Sequence, residues 1–142
     1  MRTAMDILRS KGNDVWSVDP NDRVLDALKL MAEREIGAVL VLDEGRLAGI
    51  LTERDYARKV VLEGRSSKEA KVRDVMISQV VCVAPERSIE QCMGLMTDKR
   101  LRHLPVVEDE RLIGVISIGD LVRAKIADQE FTISQLQSYI VG

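Results

Sequence analysis

Gly49-Ile50-Leu51-Thr52-Glu53-Arg54-Asp55 returns 65 positions later as Gly114-Val115-Ile116-Ser117-Ile118-Gly119-Asp120. Both copies read glycine, two aliphatics, a hydroxyl residue, two variable positions and an aspartate. The same offset holds without a gap from Val15 to Ile126. The chain is therefore two copies of one unit, and the heptapeptide decides how each unit is read.

Glycine followed by two aliphatics reads as the end of a buried strand, which Leu47 and Leu112 extend backward. Thr52-x-x-Asp55 and Ser117-x-x-Asp120 then fit a helix start, with a hydroxyl at the N-cap and an acid at the third helical position. Such a strand-to-helix joint offers backbone N–H groups, which attract phosphate. It also offers a carboxylate that can accept hydrogen bonds from a ribose diol. The same residues are equally a capping box, which stabilises a helix without binding anything.

The rest of each copy follows by periodicity. Val15 to Val18 reads as a short strand, and Asp19-Pro20-Asn21-Asp22 as a turn into a helix, with proline near the helix start where it is tolerated. Val24, Ala27, Leu28 and Met31 have helical spacing, matched by Ile89, Cys92, Met93 and Met96. Ala38 to Leu42 and Leu47 to Leu51 form a hairpin, as do Leu104 to Val107 and Leu112 to Ile116. Pro105 cannot donate to a strand ladder, so it belongs at an edge or a strand start. Helices follow over Asp55 to Glu63 and Asp120 to Ala127.

Each unit is thus β-α-β-β-α, an α/β (α+β) fold. A unit of this size is marginal alone, so the two copies are expected to pack against each other with pseudo-twofold symmetry. Lys71 to Met76 echoes the lead-in turn Thr3 to Leu8. The expected organisation is 1–69 for the first repeat with its lead-in helix and linker, 70–127 for the second, and 128–142 for a helical tail. Thr132 is the tail's expected N-cap. Ile133, Leu136, Tyr139 and Ile140 form its apolar stripe, which either docks on its own module or makes a dimer contact.

Composition excludes several classes of function. A net charge of −2 gives no basic field for nucleic acid, and one Trp, two Tyr and one Phe are too few for a base-stacking platform. Cys82 and Cys92 are not a CxxC pair, and His103 is the single histidine, so neither a metal site nor a disulfide framework is expected. Cys92 lies on an apolar stripe and reads as a buried thiol. Met1 to Lys11 lacks the apolar core of a signal peptide, and no aliphatic run approaches a membrane span. A reducing, cytoplasmic setting follows. A catalytic role has little support, because no base and nucleophile are paired and Asp55 and Asp120 fall in separate copies.

Two β-α-β-β-α copies, each with a Gly-aliphatic-aliphatic-[Thr/Ser]-x-x-Asp joint, resemble a tandem pair of CBS domains, a Bateman module. Val72-Arg73-Asp74-Val75-Met76 and Arg102-His103-Leu104-Pro105-Val106-Val107 add to the likeness. The stretch Thr52 to Val60 is similar to that of small stand-alone bacterial CBS-pair proteins. The resemblance covers nearly the whole chain. It implies a non-catalytic sensor binding AMP, ADP, ATP, S-adenosylmethionine or NAD(H), with AMP or NAD(H) favoured, in two clefts between the repeats. It also implies a homodimer and a regulated protein partner.

Carried over by residue, one cleft uses Thr52, Arg54, Asp55 and Arg58 with Cys82, Val83, Ala84, Leu101, Arg102 and His103. The other uses Ser117 and Asp120 with Ser17, Val18, Asp19, Ile36, Gly37 and Ala38. Arg54, Arg58, Lys59, Arg102 and His103 gather on the Asp55 side, while Gly37, Ala38 and Gly119 stand at matching places on the other. A charge-assisted hydrogen bond to phosphate contributes about 1.5–3 kcal/mol. Phosphorylated ligands are therefore expected to bind more tightly at the Asp55 side. The remaining reading is a structural interaction module without a nucleotide, whose heptapeptides only cap helices.

Overall fold

The computed structural model describes residues 2–141, with side chains through Tyr139. The chain forms two compact units, one of residues 14–81 and one of residues 1–13 with 82–142.

In the unit of residues 14–81, β1 (Ser17–Val18) runs parallel to β2 (Ala38–Asp43), which pairs antiparallel with β3 (Arg46–Thr52). α2 (Val24–Arg34) packs Val24, Ala27 and Met31 against Val39, Val41 and Leu51 of the sheet. Val60, Val72 and Val75 complete this core. Fully burying one such aliphatic side chain contributes about 1.5–3 kcal/mol. The turn between β2 and β3 is Glu44-Gly45, both at positive φ, which suits the right-handed twist of a two-residue hairpin.

The unit of residues 1–13 and 82–142 repeats the plan. α1 (Ala4–Lys11) begins on a Thr3–Asp6 capping box. α5 (Ile89–Lys99) leads to β4 (His103–Glu108), which pairs antiparallel with β5 (Arg111–Ser117). Val83 takes the place of β1: its N–H donates to Pro105 C=O at 3.0 Å, and its C=O accepts from Val107 N–H at 2.9 Å. Pro105 therefore sits inside β4 but contributes only its carbonyl to the neighbouring strand. Cys92 is buried, as its apolar stripe implies, and its burial pushes the thiol up.

The lead-in helices exchange between repeats. α1 packs with the second repeat, and α4 (Val72–Val75) packs with the first. This exchange accounts for the glycine that opens each heptapeptide. A Cβ on Gly114 would lie 2.6 Å from Leu8 Cδ2, and one on Gly49 would lie 2.6 Å from Met76 Sδ and 2.8 Å from Ile77 O.

Three expectations are corrected. The helix after Thr52 is not regular: α3 (Glu53–Tyr56) passes into a π turn over Ala57–Val61. Copy two shows why. Its inward positions after Asp120 are Leu121 and Ala124, and Ala124 corresponds to Lys59. One extra residue in the turn moves Lys59 off that position and brings in Val60, which is 1% exposed. An α-helix would point Asp55 and Val60 about 140° apart, whereas i to i+5 winding aligns them.

The tail is not separate: α6 runs unbroken over Ile118–Val141. Thr132 is therefore no N-cap. Its hydroxyl donates to Asp128 C=O at 3.0 Å, one turn back in the same helix. Nor does the described stripe dock on its own unit, because Ile133, Leu136 and Tyr139 are all exposed. Ile140 lies outside the described side chains.

Candidate functional site

The Asp55 joint is built by β3 running directly into α3. Thr52 keeps the extended backbone of the strand, so its side chain reaches over the first helical turn. Thr52 Oγ1 accepts from Asp55 N–H at 3.1 Å. Asp55 Oδ2 accepts from Thr52 N–H at 3.2 Å and from the Thr52 hydroxyl at 2.9 Å. Asp55 itself is 8% exposed. A carboxylate has about four lone-pair positions, two on each oxygen. Thr52 fills those of Oδ2, and no described residue bonds Oδ1, which is not sealed from solvent.

Around this joint the fold gathers the first copy's other expected residues. Ala38 pairs with Thr52 in the sheet, and Glu53 N–H donates to Gly37 C=O at 3.0 Å, next to Ile36. Ser17 and Val18 line the far edge of the same sheet, opposite Leu40 and Val41. Asp19 serves its own turn, accepting from Asn21 N–H at 2.8 Å. The Arg34 guanidinium lies 4.1 Å over the ring of Trp16, the chain's single tryptophan. Arg54 and Arg58 are exposed and make no ion pair among the described residues. Lys59, read as part of this basic rim, instead donates to Val75 C=O at 3.1 Å.

The Asp120 joint has the same cap and different company. Ser117 Oγ accepts from Asp120 N–H at 3.2 Å, and Asp120 Oδ2 accepts from Ser117 N–H at 2.8 Å. Two cations then close on the carboxylate. Lys11 Nζ lies 2.7 Å from Oδ2, and Arg123 Nη2 lies 2.7 Å from Oδ1. Burial alone would raise this carboxyl. The Lys11 ammonium and the Ser117 N–H outweigh it and hold the group below the ordinary value of 3.8. His103 pairs with Ser117 across the hairpin, and Ile118 N–H donates to Arg102 C=O at 2.9 Å. Leu101 closes α5 by donating to Met96 C=O at 2.9 Å. Cys82 and Ala84 are exposed on either side of buried Val83.

Two features of these joints differ from the sequence reading. First, the helix starts are less open to anions than the motif implies. In each, the first N–H goes to a backbone carbonyl and the third to the capping hydroxyl. Second, the Asp120 joint is not poor in cations. Arg123 occupies the position equivalent to Arg58, and Lys11 arrives from α1. No motif marked Lys11, because 109 residues separate it from Asp120. Among the described residues there is no cluster able to hold a metal, and no helix is long and apolar enough to cross a membrane.

Two strand–helix–hairpin–helix copies, each closing on a hydroxyl-capped aspartate, define a paired regulatory module. The chain belongs to the CBS-domain family, whose family model (CBS domain) matches residues 4–62 and 72–127. It is 42% identical over 150 residues to the mitochondrial CBS domain-containing protein CBSX3 of Arabidopsis thaliana, covering 99% of this chain and 72% of that protein. A CBS-domain protein from Burkholderia ambifaria MC40-6 is 55% identical, with TM-score 0.87 over 89% of this chain and 96% of that one. The fold is also that of the CBS domain pair of MJ0100, solved with 5′-methylthioadenosine and S-adenosyl-L-methionine. That pair is 21% identical, with TM-score 0.80 over 90% of this chain and 98% of that one.

Proposed function

We propose that this protein is a non-catalytic sensor that binds an adenosine-containing ligand, AMP or NAD(H) in the first place. The sugar diol is held by Asp55 and, in the second copy, by Asp120. The observation that carries the reading is the unshared Oδ1 of Asp55. Thr52 orients the carboxylate through one oxygen and leaves the other able to accept both hydroxyls of a diol. A cap alone needs only the first oxygen. Thr52 and Ser117 position the two acids. Arg54 and Arg58 supply unpaired positive charge on the Asp55 side. Ser17 to Asp19, Ile36 to Ala38, Cys82 to Ala84 and Leu101 to His103 supply backbone and apolar contacts. Membership of a family of regulatory modules supports this reading. So does a fold shared with a pair that was solved with two adenosine derivatives.

Ligand binding shifts the population between conformations, and a protein partner in the cytoplasm reads the difference. Calorimetric titration of nucleotide-stripped protein with AMP, ATP, NADH and S-adenosylmethionine tests the reading. Micromolar binding by one of them is expected, and Asp55→Ala should lose the share held at the Asp55 joint while keeping the share held at Asp120. At one hundred times the dissociation constant, the ligand should raise stability by about 2.7 kcal/mol. An Asp55→Ala protein that bound as many ligands as the parent, with the same affinity, would overturn the Asp55 site.

We further infer that the chain works as a homodimer through the outer part of α6. Ile133, Leu136 and Tyr139 are 53%, 59% and 90% exposed, an apolar stripe that water disfavours. Light scattering is expected to show a dimer that Leu136→Asp weakens; a monomeric parent protein would remove this part.

A further inference from the structure

We propose that Lys11 makes the Asp120 joint selective for phosphorylated over unphosphorylated nucleosides. The inference rests on the reading of Asp120 as a ligand site and adds to it the chemical class of the ligand.

Hydrogen-bond capacity at this joint leads to it. Asp120 Oδ2 is filled by Ser117 N–H at 2.8 Å and Lys11 Nζ at 2.7 Å. Among the described residues Oδ1 carries only the Arg123 guanidinium, whose side chain is 73% exposed and can swing into water when a diol arrives. Lys11 is held differently. Its ammonium has three N–H donors. One goes to Asp120, and a second goes to Val115 C=O at 2.9 Å. These two acceptors fix the nitrogen beside the carboxylate. The third N–H has no acceptor among the described residues, on a side chain 38% exposed. A sugar seated on Oδ1 would therefore meet a fixed cation with one donor to spare. An anionic group on that sugar meets the donor with opposite charge; a bare hydroxymethyl group offers it only a neutral acceptor, a weaker bond.

The first copy has no such device. In the lead-in offset that carries Thr3 to Lys71, Lys11 corresponds to Gln79, and no cation touches Asp55 among the described residues. The preference for charge thus falls on the Asp120 joint, opposite to the distribution expected from sequence.

The two joints separate by mutation. Asp55→Ala protein, titrated with AMP and with adenosine, reports on the Asp120 joint. AMP is expected to bind at least tenfold more tightly than adenosine. Adding Lys11→Gln should remove most of that ratio by weakening AMP while adenosine holds, and Lys11→Arg should keep it. A ratio unchanged by Lys11→Gln, in protein that melts as a folded chain, overturns the role of Lys11 and leaves the ligand site standing. If Asp55→Ala protein binds neither molecule, or Asp120→Ala does not abolish its binding, the site reading itself fails and this inference fails with it.

Discussion

The ammonium of Lys11 lies 2.7 Å from the carboxylate of Asp120, across 109 residues of sequence. It ties the last turn of α1 to the first turn of α6 and neutralises an acid whose side chain is only 9% exposed. The equivalent acid, Asp55, has its capping threonine and, among the described residues, no cation paired with it. Two joints written with one motif are therefore electrostatically distinct.

That distinction appears in pH dependence. Asp120 has a folded value held below 3.8, so its contribution to stability is complete above 3.8 and is lost as pH falls through the lowered folded value. Asp120→Asn is expected to cost about 1–2 kcal/mol near neutrality. Urea melts of both proteins at pH 7 and pH 3 should show the gap shrinking in acid. A gap of the same size at both values would mean that the ion pair contributes nothing.

The heptapeptide glycines should respond to substitution in different ways. Gly114→Ala drives a methyl group onto the Leu8 side chain, at a cost of about 1–3 kcal/mol. Leu8→Ala in the same chain should make the glycine substitution much cheaper, because the obstacle is a side chain. Gly49→Ala meets Ile77 O at 2.8 Å as well as Met76. Trimming Met76 should rescue it little, since backbone cannot be trimmed. Double-mutant cycles by chemical denaturation measure both couplings.

The second hairpin turn carries strain that the first avoids. Asp109 and Glu110 have φ of 52° and 64°, while the equivalent of Glu110 in the first copy is Gly45. Relieving one left-handed residue gains about 1–2 kcal/mol, offset by about 0.5–1 kcal/mol for the greater freedom of glycine when unfolded. Glu110→Gly should therefore raise stability by about 0.5–1 kcal/mol and leave ligand affinity unaltered. A lower melting temperature would contradict this account of the turn.

Thr52 links stability to binding. Thr52→Ala removes the N-cap and one of the bonds that orient Asp55, costing about 0.5–2 kcal/mol. Ligand affinity should fall with it, and Thr52→Ser should restore both. Melts and titrations of the three proteins, with Trp16 fluorescence as a second readout, test the coupling. A cap that can be lost without change in affinity would separate the two roles.

Much of this protein was legible in one dimension. The repeat, the β-α-β-β-α order, the hairpins and the Thr52–Asp55 and Ser117–Asp120 caps all arise from contacts within a few residues, which local pattern records faithfully. So does the burial of Cys92, which follows from helical spacing. Tertiary structure decided what depends on partners far apart in the chain. It sent α1 to the second repeat, where Leu8 explains Gly114 and Lys11 finds Asp120. It inserted a π turn so that Val60, not Lys59, enters the core. It also joined the tail to α6 as one helix, because nothing in the covalent sequence between Ala127 and Phe131 breaks the i to i−4 ladder. Local patterning specifies an element and the groups it can offer; only packing specifies which distant group accepts the offer.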